Sequence, residues 1–331
     1  MPQTSDIATD TAAPAGRAAP FGRMLTAMVT PFTATGDLDL DGAARLAEHL
    51  VDQGNDGLVL NGTTGESPTT MDAEKEQLLR AVVEAVGDRA FVLGGVGTFA
   101  TAHSIELARQ AEKAGAHGLL VVTPYYSKPP QEGLRRHFTA VADATELPVM
   151  IYDIPGRTAA AVETETLLRL AGHPRIVAVK DAKDDLGASS QVLAHTDLAY
   201  YCGTDMLNLP LLSVGGVGFV SVAAHVATPS LLDLANAWDR SDVARATAVH
   251  RGLLPVYRGL FRTQGVILTK AALTLLGLPA GPVRSPLVDA TPEQYSRLRA
   301  DLLAGGVDVG SVATSLATSV VSNAVAAGVA R

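Results

Sequence analysis

The sequence predicts an α/β fold, a (β/α)8 barrel carrying extra helices at its C-terminal end. Eight short apolar runs recur along the chain: MLTAMVTP, GLVLNG, FVLGGV, GLLVVTP, VMIYDIP, IVAVKDA, AYYCGTD and GVGFVSV. They are rich in Val, Leu and Ile without polar alternation, as parallel strands covered on both faces should be. The segments between them show apolar residues at spacings of three and four, the period of amphipathic helices. Eight such units over about two hundred residues suit a closed barrel better than an open doubly wound sheet.

In chain order, the run at 24–31 opens the barrel and is followed by the helical pattern LDGAARLAEHLVDQG (40–54). The run at 57–62 leads into MDAEKEQLLRAVVEAVG (71–87), and the run at 91–96 into TAHSIELARQAEKAG (101–115). Each of these helical segments has a Gly near its end, a stop signal. The remaining strands lie at 118–124, 149–155, 176–182, 199–205 and 216–222. Beyond them the pattern is helical only: TPSLLDLANAWD, SDVARATAVHRGLLPVYRGLF, GVILTKAALTLLG and TPEQYSRLRADLLAG. The expected organisation is a disordered arm at 1–20, the barrel at 21–225, a helical domain at 226–304, and a tail at 305–331 that is a frayed helix or disordered.

Composition narrows the function classes. With 331 residues, 47% hydrophobic and 18% charged, the chain can bury a large core. A net charge of −8 and no Lys/Arg stripe argue against nucleic acid or an anionic membrane as partner. The single Cys202 precludes an internal disulfide and suits a reducing compartment. The first twenty residues have no basic cluster followed by an apolar stretch, and no segment approaches the ~20 apolar residues of a membrane span. A cytoplasmic protein acting on small molecules is expected.

In a (β/α)8 barrel the chemistry sits at the C-terminal ends of the strands. Those ends supply Thr63 and Thr64 after the second run, Tyr125 and Tyr126 after the fourth, Tyr152 and Arg157 at the fifth, and Lys180 at the sixth. A strand-end lysine ordinarily extends its ammonium to water. Lys180, however, ends the apolar run IVAV, where a partly desolvated amine would lose its proton readily and condense with a carbonyl. Thr63 and Tyr152, expected on neighbouring strands, offer hydroxyls for proton transfer, and Arg157 offers a fork for a carboxylate. Lys183 is the weaker candidate, expected to be solvated beside Asp184 and Asp185.

Each residue also has a purely structural reading. Tyr152 could be a core tyrosine with a satisfied hydroxyl, Arg157 a rim cation paired with an acid, and NGTTGES (61–67) a plain turn. Glycines in that turn would nevertheless let backbone amides approach a carboxylate closely. Gly95, Gly97 and Ala100 match a nucleotide-binding G-x-G-x-x-A pattern, but the acid required at the end of the next strand is missing. GTTGES lacks the lysine of a P-loop. Metal-assisted aldol chemistry would need clustered ligands, whereas the eight histidines are dispersed and only His225 follows a strand, where a structural or supporting role is expected.

Together GTTGES (62–67), VTPYYSKPPQEG (122–133), YDIPGRT (152–158), VKDA (179–182) and GFVSV (218–222) resemble the dihydrodipicolinate synthase and N-acetylneuraminate lyase family, in unbroken order over roughly residues 24–303. Arg157 and the paired Tyr125 and Tyr126 resemble its dihydrodipicolinate synthase branch. The resemblance implies that pyruvate is joined to L-aspartate 4-semialdehyde on the route to diaminopimelate and lysine, with no cofactor and no metal. It implies Lys180 as the Schiff-base lysine and Thr63, Tyr152 and Tyr126 as a proton relay, Tyr126 reaching in from a neighbouring subunit. Thr64 would hold the carboxylate of pyruvate, Arg157 that of the semialdehyde, and Gly203 and Val220 would complete the substrate pocket. A homotetramer, built as a dimer of dimers, is also implied. Lysine-inhibited relatives carry histidines and an acid at an interface site where this chain has Asp72, Lys75 and His103, so lysine inhibition is expected to be weak or absent. The alternative is another Schiff-base aldolase of the same family acting on a sugar-acid aldehyde; a barrel that has lost catalysis and only binds is a third reading.

Overall fold

The computed structural model describes residues 18–310. The expected N-terminal arm, up to residue 17, and the tail beyond residue 310 lie outside the described residues. All eight apolar runs form parallel strands of one closed barrel: β1 (Met24–Ala27), β2 (Gly57–Leu60), β3 (Phe91–Gly95), β4 (Gly118–Val122), β5 (Val149–Asp153), β6 (Ile176–Asp181), β7 (Ala199–Cys202) and β8 (Gly218–Ser221). The ring closes through β1 and β8, where Met24 pairs with Phe219 and Thr26 with Ser221. The strands end before the prolines of their runs, which cannot continue the ladder. Their last residues and the loops beyond therefore gather at one mouth.

Side chains alternate between the inside and outside of the barrel wall. Inside lie Leu25, Val59, Leu93, Leu120, Met150 and Val220, all nearly inaccessible. The opposite end from the mouth is plugged by Phe21, whose amide donates to the Tyr201 hydroxyl at 3.2 Å while that hydroxyl donates to the Gly22 carbonyl at 2.9 Å. Outside, a second and larger apolar shell joins the strands to the helices. Each fully buried Leu or Val in these shells contributes about 1.5–3 kcal/mol.

The helices between strands are α1 (Leu40–Asp52), α2 (Asp72–Val86), α3 (Thr101–Lys113), α4 (Gln131–Asp143), the short α5 (Pro155–Thr158), α6 (Thr164–Leu170), α7 (Leu186–His195) and the short α8 (Asn208–Ser213). Asp39 caps α1 by accepting from the Gly42 amide, and Gly54 and Gly115 follow α1 and α3 in the left-handed region at φ 102° and 90°. After β8, α9 (Ala224–Asp239) packs on β1 and α1, so it completes the ring of barrel helices. The additional layer is α10 (Val243–Leu260), α11 (Gly265–Leu275) and α12 (Pro292–Ala304). Among the described residues no helix is long and apolar enough to cross a membrane.

The additional helices also grip the barrel mouth. Lys270, inside the almost wholly buried α11, lies 2.7 Å from Glu66 of the loop after β2. Arg284, from the segment between α11 and α12, forks onto Glu74 of α2 at 2.8 and 2.5 Å. The Phe32 ring lies beneath both cations, 4.2 Å from the Lys270 Nζ and 4.1 Å from the Arg284 guanidinium carbon.

Candidate active site

Lys180 and Tyr152 are register partners on β6 and β5, and both side chains point into the barrel. The Lys180 Nζ stands 4.1 Å from the centre of the Tyr152 ring, and the two residues are each only 5% exposed. Among the described residues no carboxylate lies within ion-pairing distance of this amine. Burial lowers its pKa from 10.5 to about 8; Arg157 pushes the same way, while Asp205 and Cys202 oppose. The Tyr152 phenol is pushed up to about 12 by burial, opposed by the Arg157 charge and by a hydrogen bond from Thr63. Lysine and phenol are thus poised to hold or pass a proton rather than to be permanently ionised.

Beside Tyr152 opens a cavity of about 240 Å³ lined by Thr63, Leu120, Tyr125, Tyr152, Ile154 and Arg157, among others; Lys180 is not part of that lining and meets it only through the Tyr152 ring. Thr63 reaches Tyr152 from across the mouth, not from a strand beside β6: β2 is flanked by β1 and β3. The expectation of neighbouring strands holds for Tyr152 alone. The loop after β2 folds through two left-handed residues, Asn61 (φ 56°) and Glu66 (φ 55°), which turn the chain sharply. Among the described residues nothing accepts from the amides of Thr63 and Thr64, so these donors remain for an anion. Arg157 is exposed on the tip of α5, and among the described residues no acid pairs with it.

The other expected site residues are placed less directly. Val220 is fully buried within the barrel, in the same apolar cluster as Tyr152, and forms floor rather than exposed wall. Gly203 packs against Lys180: a Cβ there would lie 3.1 Å from the Cγ and Cε of Lys180 and 3.0 Å from the Asp181 carbonyl. Thr64 does not line the cavity. Tyr126, at φ 72°, turns outward and is 93% exposed, whereas Tyr125 lines the cavity with its ring 5.5 Å from that of Phe99.

Gly95 and Gly97 also line the cavity, for a packing reason: a Cβ would fall 2.4 Å from the Asn61 carbonyl oxygen or 2.3 Å from the Val122 amide. His225 is buried, accepting from the Val29 amide at 3.1 Å with its other nitrogen 2.8 Å from the Val222 carbonyl, so it pins backbone. Among the described residues no three His, Cys, Asp or Glu side chains gather as a metal site. Asp72, Lys75 and His103 pair among themselves, with Asp72 at 3.8 Å from Lys75 and 2.8 Å from His103.

Two features escape a strand-end reading. Asp205 is buried beyond β7 and accepts from Ser221, from Asn208 at 3.2 Å, and from the amides of Val222 and Ala223 at 3.1 and 2.9 Å. Its negative field opposes the fall of the Lys180 pKa. Lys183 is not solvated as expected. Its side chain is 14% exposed, donates to the Val162 carbonyl at 3.1 Å, and lies 3.6 Å from the buried Asp153 carboxylate.

A buried, unpaired lysine over the ring of a tyrosine that is hydrogen-bonded to a threonine, with an unpaired arginine at the rim, suits Schiff-base chemistry on a keto acid. Comparison with known proteins agrees. The model of the dihydrodipicolinate synthetase family matches residues 20–304. The chain belongs to that family. It is 68% identical over 290 residues to the 4-hydroxy-tetrahydrodipicolinate synthase 2 of Streptomyces coelicolor, covering 88% of this chain and 97% of the relative. It is 70% identical over 290 residues to the synthase of Acidothermus cellulolyticus, covering 88% and 94%. The crystal structure of the Cyanidioschyzon merolae family member with lysine bound superposes with a TM-score of 0.85 at 41% identity, covering 87% of this chain and 99% of the other. Family membership and fold thus rest on sequence and structure together.

Proposed function

We infer that this protein catalyses the 4-hydroxy-tetrahydrodipicolinate synthase reaction, joining pyruvate to L-aspartate 4-semialdehyde on the route to diaminopimelate and lysine. The observation that carries the reading is the Lys180 amine, buried, held near pKa 8 and 4.1 Å from the Tyr152 ring. The neutral amine adds to the pyruvate ketone, and loss of water leaves an iminium. Its positive charge acidifies the pyruvate methyl group, which gives up a proton to become the enamine. Tyr152 and Thr63 carry that proton, with Tyr126 of a second copy completing the relay. The enamine carbon attacks the aldehyde, and the substrate's own amine then closes the ring onto the iminium carbon and releases Lys180. One water is lost overall, and no oxidant or cofactor is needed.

The free amides of Thr63 and Thr64 are suited to the pyruvate carboxylate, with Gly203 against Lys180 and Val220 in the barrel floor completing the substrate pocket. Arg157, unpaired at the rim, is suited to the second substrate's carboxylate. An uncharged sugar aldehyde would leave that guanidinium unused. The exposure of Tyr126 suits a site completed across a subunit interface, in a tetramer made of two dimers. A cytoplasmic setting suits the free thiol of Cys202.

The test is reductive trapping. Incubation with pyruvate and borohydride should leave a single adduct on Lys180, absent in Lys180→Ala, and aspartate semialdehyde should be consumed in preference to sugar aldehydes. An unmodified Lys180 after treatment of the parent protein would end the proposal.

A further inference from the structure

Lys183 follows the reactive lysine by three residues, yet faces the other way. Along β6, Lys180 points into the barrel and Asp181 out of it, while on β5 Tyr152 points in and Asp153 out. The Asp181 carboxylate accepts from the Lys183 amide at 2.8 Å, which turns the lysine side chain back across the outside of β5. There its Nζ meets the Val162 carbonyl at 3.1 Å and the Asp153 carboxylate at 3.6 Å. Both Asp153 oxygens lie 3.2 Å from the Val162 amide. Acid and amine together thus hold both polar groups of one peptide residue.

Between Asp153 and Val162 the chain leaves the barrel and returns, with Arg157 on its tip. Inside this loop the Thr158 hydroxyl lies within hydrogen-bond distance of the Ile154 and Ala160 carbonyls, at 3.1 and 2.8 Å, and Ala159 takes a left-handed turn at φ 59°. Its returning end depends on the bonds to Val162 and on Gln131, whose side chain donates to the Ala161 carbonyl at 2.9 Å. Asp153 also needs its partner. Burial raises its pKa to about 6, and the Lys183 charge is the chief influence holding it down. Without that charge the carboxylate would sit closer to protonation at neutral pH, weakening its hold on the loop.

We propose that Lys183, acting with Asp153, is a positioning residue for Arg157: it closes the loop that carries the guanidinium and so sets affinity for the aldehyde substrate's carboxylate, while pyruvate capture at Lys180 proceeds without it. This rests on the synthase reading above. It assigns separate duties to two lysines of one short motif, one on each side of the barrel wall.

The experiment compares Lys183→Met and Lys183→Arg with the parent, measuring steady-state rates against each substrate and borohydride trapping with pyruvate alone. In Lys183→Met the KM for aspartate semialdehyde should rise about tenfold, as a small misplacement of a binding group does. The kcat/KM for pyruvate should stay within about twofold, since Arg157 touches that step only through its field at Lys180, which a small displacement of the loop leaves largely in place. Lys183→Arg, which restores a charged donor, should recover most of the loss. An unchanged semialdehyde KM in Lys183→Met would overturn the proposal, as would a parallel fall in pyruvate trapping, the sign of a general structural role. Absence of a Lys180 adduct in the parent would instead overturn the synthase reading and this inference with it.

Discussion

The Lys180 amine should show itself as a titration well below the ordinary lysine range. With a pKa of about 8, about one Lys180 in ten is neutral at pH 7, against about three in ten thousand for a solvated lysine, a gain of about 300-fold in nucleophile. Placing the ammonium in this pocket costs about 3 kcal/mol on the same basis. The folded pKa lies below the unfolded one, so between about pH 8 and 10.5 the unfolded chain binds more protons and stability rises with pH across that window. Below about 8 the full cost is present. The assay is rapid mixing with pyruvate at a series of pH values, followed by a quench into excess borohydride at one fixed pH. Capture should quicken about tenfold per pH unit below about 8 and level off above it. Arg157 is one cause of the low value and Asp205 opposes it, so Arg157→Met should move the midpoint up and Asp205→Asn should move it down. Capture that continued to accelerate through pH 10, or a midpoint that fell in Arg157→Met, would refute the desolvation argument.

Two further outcomes follow from the groups around the mouth. Lys270→Met would strand the Glu66 carboxylate, 1% exposed, and should cost about 3–5 kcal/mol in urea unfolding, with Glu66→Gln added to it restoring most of that; equal stability of Lys270→Met and parent would show the pair contributes nothing. Tyr126→Ala should still form the pyruvate adduct but lose turnover by about 10²-fold, as removal of a proton-transfer group does. Dilution that splits the oligomer should cut the parent's specific activity, and full activity in a monomer would remove Tyr126 from the relay.

The eight strands were legible because parallel strands covered on both faces leave continuous apolar runs, and the runs end where the mouth begins. Lys180, Tyr152, Thr63 and Arg157 stood at those ends, where the fold concentrates chemistry. The surroundings of Lys183 and the carboxylate of Asp205 were not legible, because their partners are fixed by how loops return over the barrel. Spacing carries no record of that. α9 looked like part of the helical appendage for the same reason: its periodicity does not say which surface it covers.

The contrast between Lys180 and Lys270 shows where sequence reading stops and what the structure adds. Both lysines interrupt apolar stretches, IVAVKDA and GVILTKAAL, and both are buried, at 5% and 3% exposure. Such burial is rare for an unpaired lysine, so either could have been proposed as a reactive amine. Each lies over an aromatic ring at nearly the same distance, 4.1 Å from Tyr152 and 4.2 Å from Phe32. What separates them is the acid. Lys270 has Glu66 at 2.7 Å and donates to the Pro282 carbonyl at 2.7 Å, so its ammonium is neutralised and its donors are engaged. Among the described residues Lys180 has no contact acid; Asp205 acts on it through its field, with its own oxygens occupied by Ser221, Asn208 and two backbone amides. On the synthase reading, the buried amine with a contact acid is the fastener and the one without is the proposed nucleophile; the placement of Glu66 and Asp205 decides which is which.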